Sequence, residues 1–206
     1  MRYTGPRCRH CRREGEKLFL KGDRCESQKC SFVKRSYAPG LHGQGFNKKT
    51  EYARQLREKQ KAKRIFGLSE KQFAAYNKKA GAQKAMTTGE ALMQNLETRI
   101  DNVIYRAGFA FSRVQARIFV SHGLCTLNGK KIKTPSIQVK VGDKFAIKES
   151  FKKNGIFEDL KKAKHKAPTW LNANTSSLSG EVVEMPEQKD YEQSINVQPI
   201  IEFYSR

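Results

Sequence analysis

The sequence is short of long apolar runs, of acidic residues and of the strings that mark common enzymes. No stretch of its 206 residues approaches the ~20 consecutive apolar positions that a membrane-spanning helix requires. The opening residues Met1-Arg2-Tyr3-Thr4-Gly5-Pro6 lack the apolar core of a secretory signal, so a cytosolic chain is expected. There is no G-x-x-x-x-G-K phosphate cradle and no H-E-x-x-H string, and no internal repeat. Acidic residues number 20 against 41 Lys and Arg, which leaves a formal net charge of +21.

What is present narrows the class further. Apolar residues make up 37% of the chain, with 12 Phe and 7 Tyr, too many for a wholly disordered basic tail. The mean hydropathy of −0.74 is too low for a membrane protein. A charge of +21 resists compaction unless a polyanion neutralises it. Nucleic acid is the leading partner. An anionic membrane surface is the weaker choice, because no basic amphipathic helix has a clean apolar face. The excess is uneven: +12 in residues 1–70, +9 in 71–150 and zero in 151–206. The positive surface therefore belongs to the first 150 residues, and the remainder reads as a packing and protein-contact element.

Four of the five cysteines, Cys8, Cys11, Cys25 and Cys30, fall in the first thirty residues as C-x2-C, thirteen residues, then C-x4-C. Each short spacing lets one turn offer two sulfurs to a tetrahedral ion. Zn²⁺ is the expected metal and a Cys-ligated iron–sulfur cluster the less favoured one. The plainer alternatives are two disulfides, which fit a cytosolic chain poorly, or free thiols. Four thiolates would close the site, so it is expected to be structural, and a segment this short and charged would draw folding energy from it. His10 lies inside the first pair and reads as a solvated or RNA-facing side chain. Cys125 sits in an alternating apolar run and reads as a small buried hydrophobe.

Three Gly and a Pro within 37–45 mark a loop, either a close approach to phosphate or a plain flexible connection. The pattern predicts a helix over 48–66, with Tyr52, Leu56, Ile65 and Phe66 inward and Arg54, Arg57, Lys59, Lys61, Lys63 and Arg64 on its other faces. Ser69 with Gln72 predicts a capping box that opens a second helix, with Phe73 and Tyr76 inward. Gly89 precedes a third helix, whose stripe Leu92, Leu96, Ile100, Val103, Ile104 and Ala107 ends at Gly108. Ser112 and Gln115 open a short fourth helix that buries Val114, Ile118 and Phe119 and shows Arg113 and Arg117 on its other face. The period then changes to two. Strands are expected at 124–127, 130–132, 137–141 and 145–147, with Asn128-Gly129 as a hairpin turn. The Lys-rich stretch 152–166 reads as a mobile connection, Trp170 as an anchor and 180–186 as a strand.

These residues carry a resemblance. Arg99-Ile100-Asp101-Asn102-Val103-Ile104-Tyr105-Arg106, Gly108-Phe109-Ala110, Gln115-Ala116-Arg117, Val120-Ser121-His122-Gly123, Asn128-Gly129 and Val141-Gly142-Asp143 resemble the small RNA-binding domain first described in small ribosomal subunit protein four. The flanks Arg12-Arg13-Glu14-Gly15, Leu18-Phe19-Leu20-Lys21-Gly22, Gln55-Leu56-Arg57-Glu58-Lys59-Gln60-Lys61, Pro168-Thr169-Trp170-Leu171 and Ile201-Glu202-Phe203-Tyr204-Ser205-Arg206 extend it over the whole length. The chain is thus similar to that family in its bacterial or organellar, four-cysteine form. It departs from the family's pattern at Leu41, Ala53 and Glu187-Gln188.

The expected fold is α+β. It has a metal-stapled N-terminal segment (1–46), a helical RNA-binding domain (47–96) on which 160–206 packs back, an inserted module of two helices and a short antiparallel sheet (97–150), and a C-terminal extension (151–206). The resemblance implies a small-subunit rRNA binder without catalysis that grips a multi-helix junction early in assembly. It also implies neighbouring small-subunit proteins, mRNA near its point of entrance and a place on the cytoplasmic or an organellar ribosome. Neither a membrane nor a small-molecule substrate is expected. Direct RNA contacts are expected from Arg54, Arg57, Lys59, Lys61, Arg99, Arg113, Gln115, Arg117, His122, Lys130 and Lys131, with Arg99 open to pairing with Asp101 instead. The rival is an RNA-modifying enzyme that uses the same small module, since Arg99-Ile100-Asp101 echoes an Arg-x-Asp string. Against it, Asp101 is expected mid-helix and only ~56 residues follow the module, short of a catalytic domain.

Overall fold

A computed structural model of the chain describes residues 3–45, 48, 50–162 and 165–205. The helices are α1 (Cys8–Glu14), α2 (Asp23–Glu26), α3 (Ser31–Lys34), α4 (Glu51–Ile65), α5 (Glu70–Gly81), α6 (Thr88–Glu97), α7 (Ile100–Arg106), α8 (Arg113–Ser121), α9 (Gly155–Lys162) and α10 (Gln198–Tyr204). The strands are β1 (Cys125–Leu127), β2 (Lys130–Lys131), β3 (Lys144–Ile147), β4 (Leu171–Asn174) and β5 (Ser179–Val182). The described residues form two compact units. One runs up to Leu92 and resumes at Glu192; the other is Met93–Tyr191.

The first unit is helical. Thr50 caps α4 by accepting from the Ala53 amide (3.3 Å). Both reciprocal bonds of the Ser69–Gln72 capping box are present at the start of α5, and Phe73 behind it is fully buried. The helix α10 lies on α4: Gln55 Nε2 donates to Glu202 Oε2 (3.0 Å), and the Phe203 ring meets Tyr52 at 5.7 Å between centroids. The return of the C-terminal region onto the helical part is therefore carried by residues from Glu192 onward, not from 160. Tyr52, expected inward, is half exposed (51%) beside Phe203. Gly89 is the second residue of α6 and not its forerunner. A Cβ there would stand 3.2 Å from both Val197 and Ile201, so glycine lets the two segments close.

The second unit is a five-stranded antiparallel sheet, order β2-β1-β3-β5-β4, backed by α7, α8 and α9. Asn128 (φ 49°) and Gly129 (φ 76°) supply the two positive-φ residues of a type I′ hairpin turn, as their spacing predicts. Register puts Thr126 opposite Lys131 on one side and opposite Ala146 on the other. Cys125, Phe145, Ile147, Leu171 and Val182 face the core, together with Phe109, Phe119 and Trp170.

Four expectations are corrected in this unit. The apolar stripe from Leu92 to Ala107 is not one helix. The chain breaks at Thr98–Arg99, where Arg99 turns extended (ψ 137°) and bridges Gln138. Residues 137–141 form no strand of their own and supply only that bridge and single bonds such as Val139 N to Thr98 O (2.9 Å). The stretch expected to be a mobile connection contains α9, whose Phe157 and Leu160 are buried and whose Phe157 ring packs on Phe119 at 5.0 Å. The strand β4 pairs with β5, and β5 pairs with β3, so residues after 150 complete the sheet and do not extend from it.

A candidate RNA interface

Of the expected contacts on α4, only Arg54 is largely open to solvent, with Glu51 at 3.2 Å. Arg57 reaches Glu14 (3.4 Å), and Arg64 pairs with the same carboxylate. Lys59 is buried and bonds Glu70 (2.7 Å), with its ammonium 4.2 Å from the centre of the Phe203 ring. Lys61 is buried between Glu16 (3.3 Å) and Glu58 (3.0 Å). Lys59 and Lys61 are thus internal cations, not surface phosphate ligands. The charge count missed this because α4 is covered on more than its apolar stripe: the N-terminal segment and α10 bring carboxylates and rings to its basic faces. Burial opposes ionisation of Glu70, but hydrogen bonds from Lys59, Lys63 and Tyr204 outweigh it and hold the carboxyl at about 2.

The module's arginines are similarly engaged. Arg99, 1% exposed, grips Asp101 through Nε to Oδ1 (3.0 Å) and Nη2 to Oδ2 (2.9 Å). Arg117 donates to the same Oδ2 (2.8 Å from Nε). Asp101 lies in the first turn of α7, not mid-helix, because of the break before it. A second network joins Arg106 to Glu97 (2.8 Å), Glu97 to Asn102 Nδ2 (2.6 Å), and Asn102 Oδ1 to Arg113 Nε (2.8 Å). The Arg113 guanidinium also lies over Tyr105 at 4.7 Å. The arginine face of α8 therefore packs on α7. Gln115 accepts from the Phe111 amide (2.8 Å) and closes the start of α8. Arg99 is thus buried in the pairing with Asp101 that the sequence left open, and the half-buried Arg117 shares that carboxylate.

His122, just after α8, and Lys130 and Lys131 in β2 are exposed. Four more lysines that the sequence pattern did not single out, Lys133, Lys140, Lys144 and Lys148, are exposed in the same unit. Among the described residues none of these six lysines is ion-paired. Lys131 and Lys144 share the solvent face of the sheet with Thr126 and Ala146, because Phe145 and Ile147 point into the core. That alternation in Lys144-Phe145-Ala146-Ile147 was the signal available in the sequence. The turn is rigid: Asn128 Nδ2 donates to Asp143 Oδ1 (2.8 Å) and Asn128 Oδ1 accepts from the Lys144 amide (2.8 Å).

In the N-terminal segment all four cysteines are unbridged; Cys11, Cys25 and Cys30 are buried and Cys8 half-buried. The Lys21 amide donates to Cys25 Sγ (3.3 Å). Burial pushes the Cys11 and Cys25 thiols up, and neighbouring cysteines add to the rise. Four unbridged thiols are a donor set suited to a soft divalent ion. Among the described residues, however, no three His, Cys, Asp or Glu side chains stand as a ligand group. His10 packs on Tyr3 (4.4 Å between centroids) instead of facing outward, and burial, helped by Arg64, lowers it to about 4. Cys125 is fully buried, which pushes its thiol up to about 12. Arg12 pins the glycine-rich loop by donating to the carbonyls of Tyr37 (3.0 Å) and Ala38 (3.4 Å).

A rigid hairpin that carries unpaired lysines, backed by a short helix pair, defines a small RNA-binding protein of the α+β class. Comparison with known proteins places it more narrowly. Residues 2–97 match the family described as ribosomal protein S4/S9 N-terminal domain, and residues 98–145 match the S4 domain. The chain is similar to small ribosomal subunit protein uS4 of Heliobacterium modesticaldum, 50% identical over 207 residues that cover 100% of this chain and 99% of the relative. It is 49% identical to that of Solidesulfovibrio magneticus and 48% to that of Desulfitobacterium hafniense, with the same coverage. The chain belongs to the uS4 family of small ribosomal subunit proteins.

Proposed function

We propose that the chain is a structural constituent of the small subunit of the cytoplasmic ribosome, that it binds the subunit's rRNA directly and that it acts without catalysis. The observation that carries this reading is the hairpin surface of unpaired lysines within a chain similar to uS4 over its full length. Lysines on a rigid support neutralise phosphates and release counterions, and structured RNA is read by shape more than by base sequence. The finer expectations, a multi-helix junction, nucleation of assembly, neighbouring small-subunit proteins and mRNA where it enters the subunit with an effect on accuracy, belong to the same reading. Binding to small-subunit rRNA and to duplex DNA of equal length, at equal salt, tests it. Preference for the rRNA is expected, and preference for the duplex overturns the reading.

The N-terminal segment belongs to the proposal. Cys8, Cys11, Cys25 and Cys30 are the groups that would hold a Zn²⁺ ion, which would supply cross-linking and no reaction step. The unbridged thiols and the burial of three of them support it. Native mass spectrometry should find one equivalent of zinc. Cys8→Ser with Cys25→Ser should remove it and speed proteolysis of residues 1–45, whereas unchanged metal content refutes the site.

A further inference from the structure

The sheet unit carries one surface whose charge opposes the rest of the chain. Residues 181–190 hold Glu181, Glu184, Glu187 and Asp190 against Lys189 alone, in a protein of net +21. Glu184 and Glu187 are exposed. Lys189 bonds Glu187 (2.9 Å), and Asp190 Oδ2 accepts from the Glu187 amide (3.2 Å).

Beside them stand exposed apolar side chains: Val141 (56%), Val183 (47%) and Met185 (37%). The backbone gathers them. Gly142 N donates to Val182 O (2.8 Å) and Val182 N to Asp143 O (3.0 Å), which sets the 141–143 turn against 182–184. Val183 N and Glu184 N both donate to Trp170 O (3.0 and 3.4 Å), and the Trp170 side chain is buried below. Val182 points into the core, so Val183 between these anchors faces outward. The patch is thus held rigidly, and its shape exists before any partner arrives.

We propose that this acid-rimmed apolar patch docks a basic segment of another protein of the assembly. Lys or Arg of that segment would meet Glu184 and Glu187, and one of its apolar side chains would seat on Val141, Val183 and Met185. The inference rests on the ribosomal reading above. RNA is disfavoured as the occupant: its phosphates would face carboxylates, and aliphatic side chains give bases no stacking platform. A symmetric contact with a second copy of the chain is disfavoured because the same acidic rim would oppose itself. Lys140 beside Val141 and Lys144 cross-strand from Glu181 are further cations at this edge; with Lys189 they are three against Glu181, Glu184, Glu187, Asp190 and Asp143, so the local excess stays negative.

The test uses the full chain, carrying a photoreactive benzophenone side chain at position 185, in small subunits rebuilt from purified rRNA and purified small-subunit proteins. Cross-linking to a basic protein is expected, and Glu184→Lys with Glu187→Lys should cut its yield about tenfold. Binary rRNA binding should not weaken in that variant, and circular dichroism should show it folded. If it does not fold, Val183→Ser is the replacement, with the same expected loss. Cross-links to rRNA or to a second copy overturn the proposal. So does their absence in particles that contain the chain, or a yield that ignores both variants. A wild-type chain that fails to bind rRNA on its own overturns the underlying reading, and this inference with it.

Discussion

Replacing Lys130, Lys131, Lys144 and Lys148 together by alanine separates surface charge from structural charge. All four are exposed, and none is ion-paired among the described residues, so each is available for a phosphate. Each lysine that neutralises a phosphate adds about 0.7–0.9 to the slope of log K against log salt. Removing four such lysines therefore takes about 3 from the slope. Between 50 and 200 mM salt the wild type should lose roughly 60-fold more affinity than the variant, a fourfold salt change raised to that power. Stability should hold, because such surface changes are usually worth within about 0.5 kcal/mol each. Lys59→Met is the counterpart. It removes the 2.7 Å bond to Glu70 and the ammonium over Phe203, while Glu70 keeps Lys63 and Tyr204. It should cost about 1–2 kcal/mol of stability and leave the salt slope alone. Fluorescence anisotropy with a small-subunit rRNA fragment across a salt series, beside thermal melts, reads both. An unchanged slope in the fourfold variant, or a slope lowered by Lys59→Met in a folded protein, would refute the division.

Three other perturbations have defined outcomes. Asp101→Asn leaves the 1% exposed Arg99 without its anion and strips Arg117 of the same oxygen, so chemical denaturation should show a loss of about 3 kcal/mol or more; a loss below about 1 would show that the pair is not needed. Glu70 has its folded-state value depressed to about 2 from an ordinary 4.5, so its contribution is complete above pH 4.5 and drains away as pH falls toward 2. Glu70→Gln should therefore flatten the acid side of the stability profile in that window, and an acid profile identical to wild type would contradict the assignment. Phe157→Ala should cost about 3–5 kcal/mol in the sheet unit, and hydrogen exchange confined to α9 would show instead that the helix is peripheral.

Local chemistry made several elements legible in advance. The Ser69–Gln72 box, the Asn128-Gly129 turn and the Trp170 anchor each depend on a few neighbouring residues, and each stands where the pattern put it. What escaped depends on long-range packing. The stripe through Leu92, Leu96, Ile100 and Val103 is continuous in period, yet a bridge from Gln138, 39 residues downstream of Arg99, breaks the helix. The helix α9 hides in a lysine-rich stretch because two residues, Phe157 and Leu160, are enough to seat it. Several of the candidate interface residues were misplaced for the same reason. Lys59, Lys61 and Arg117 look like surface cations until Glu70, Glu16 and Asp101 are brought to them, whereas the pairing of Arg99 with Asp101, two residues on, was open in the sequence. Hairpin lysines escaped notice because each is unremarkable alone, and only the pleat shows which of them share a face.

The helical unit is discontinuous in sequence, since α10 lies on α4 more than a hundred residues after it. The sheet unit, in contrast, is drawn from one uninterrupted stretch. Chains leave the site of their synthesis from the N-terminus onward, and units tend to fold as they are completed. All five strands have therefore been made before α10 exists, and Lys59 waits through that interval without the Phe203 ring. The sheet unit thus has all its parts before the helical unit does, and the contact of Lys59 with Phe203 is among the last that the chain can make.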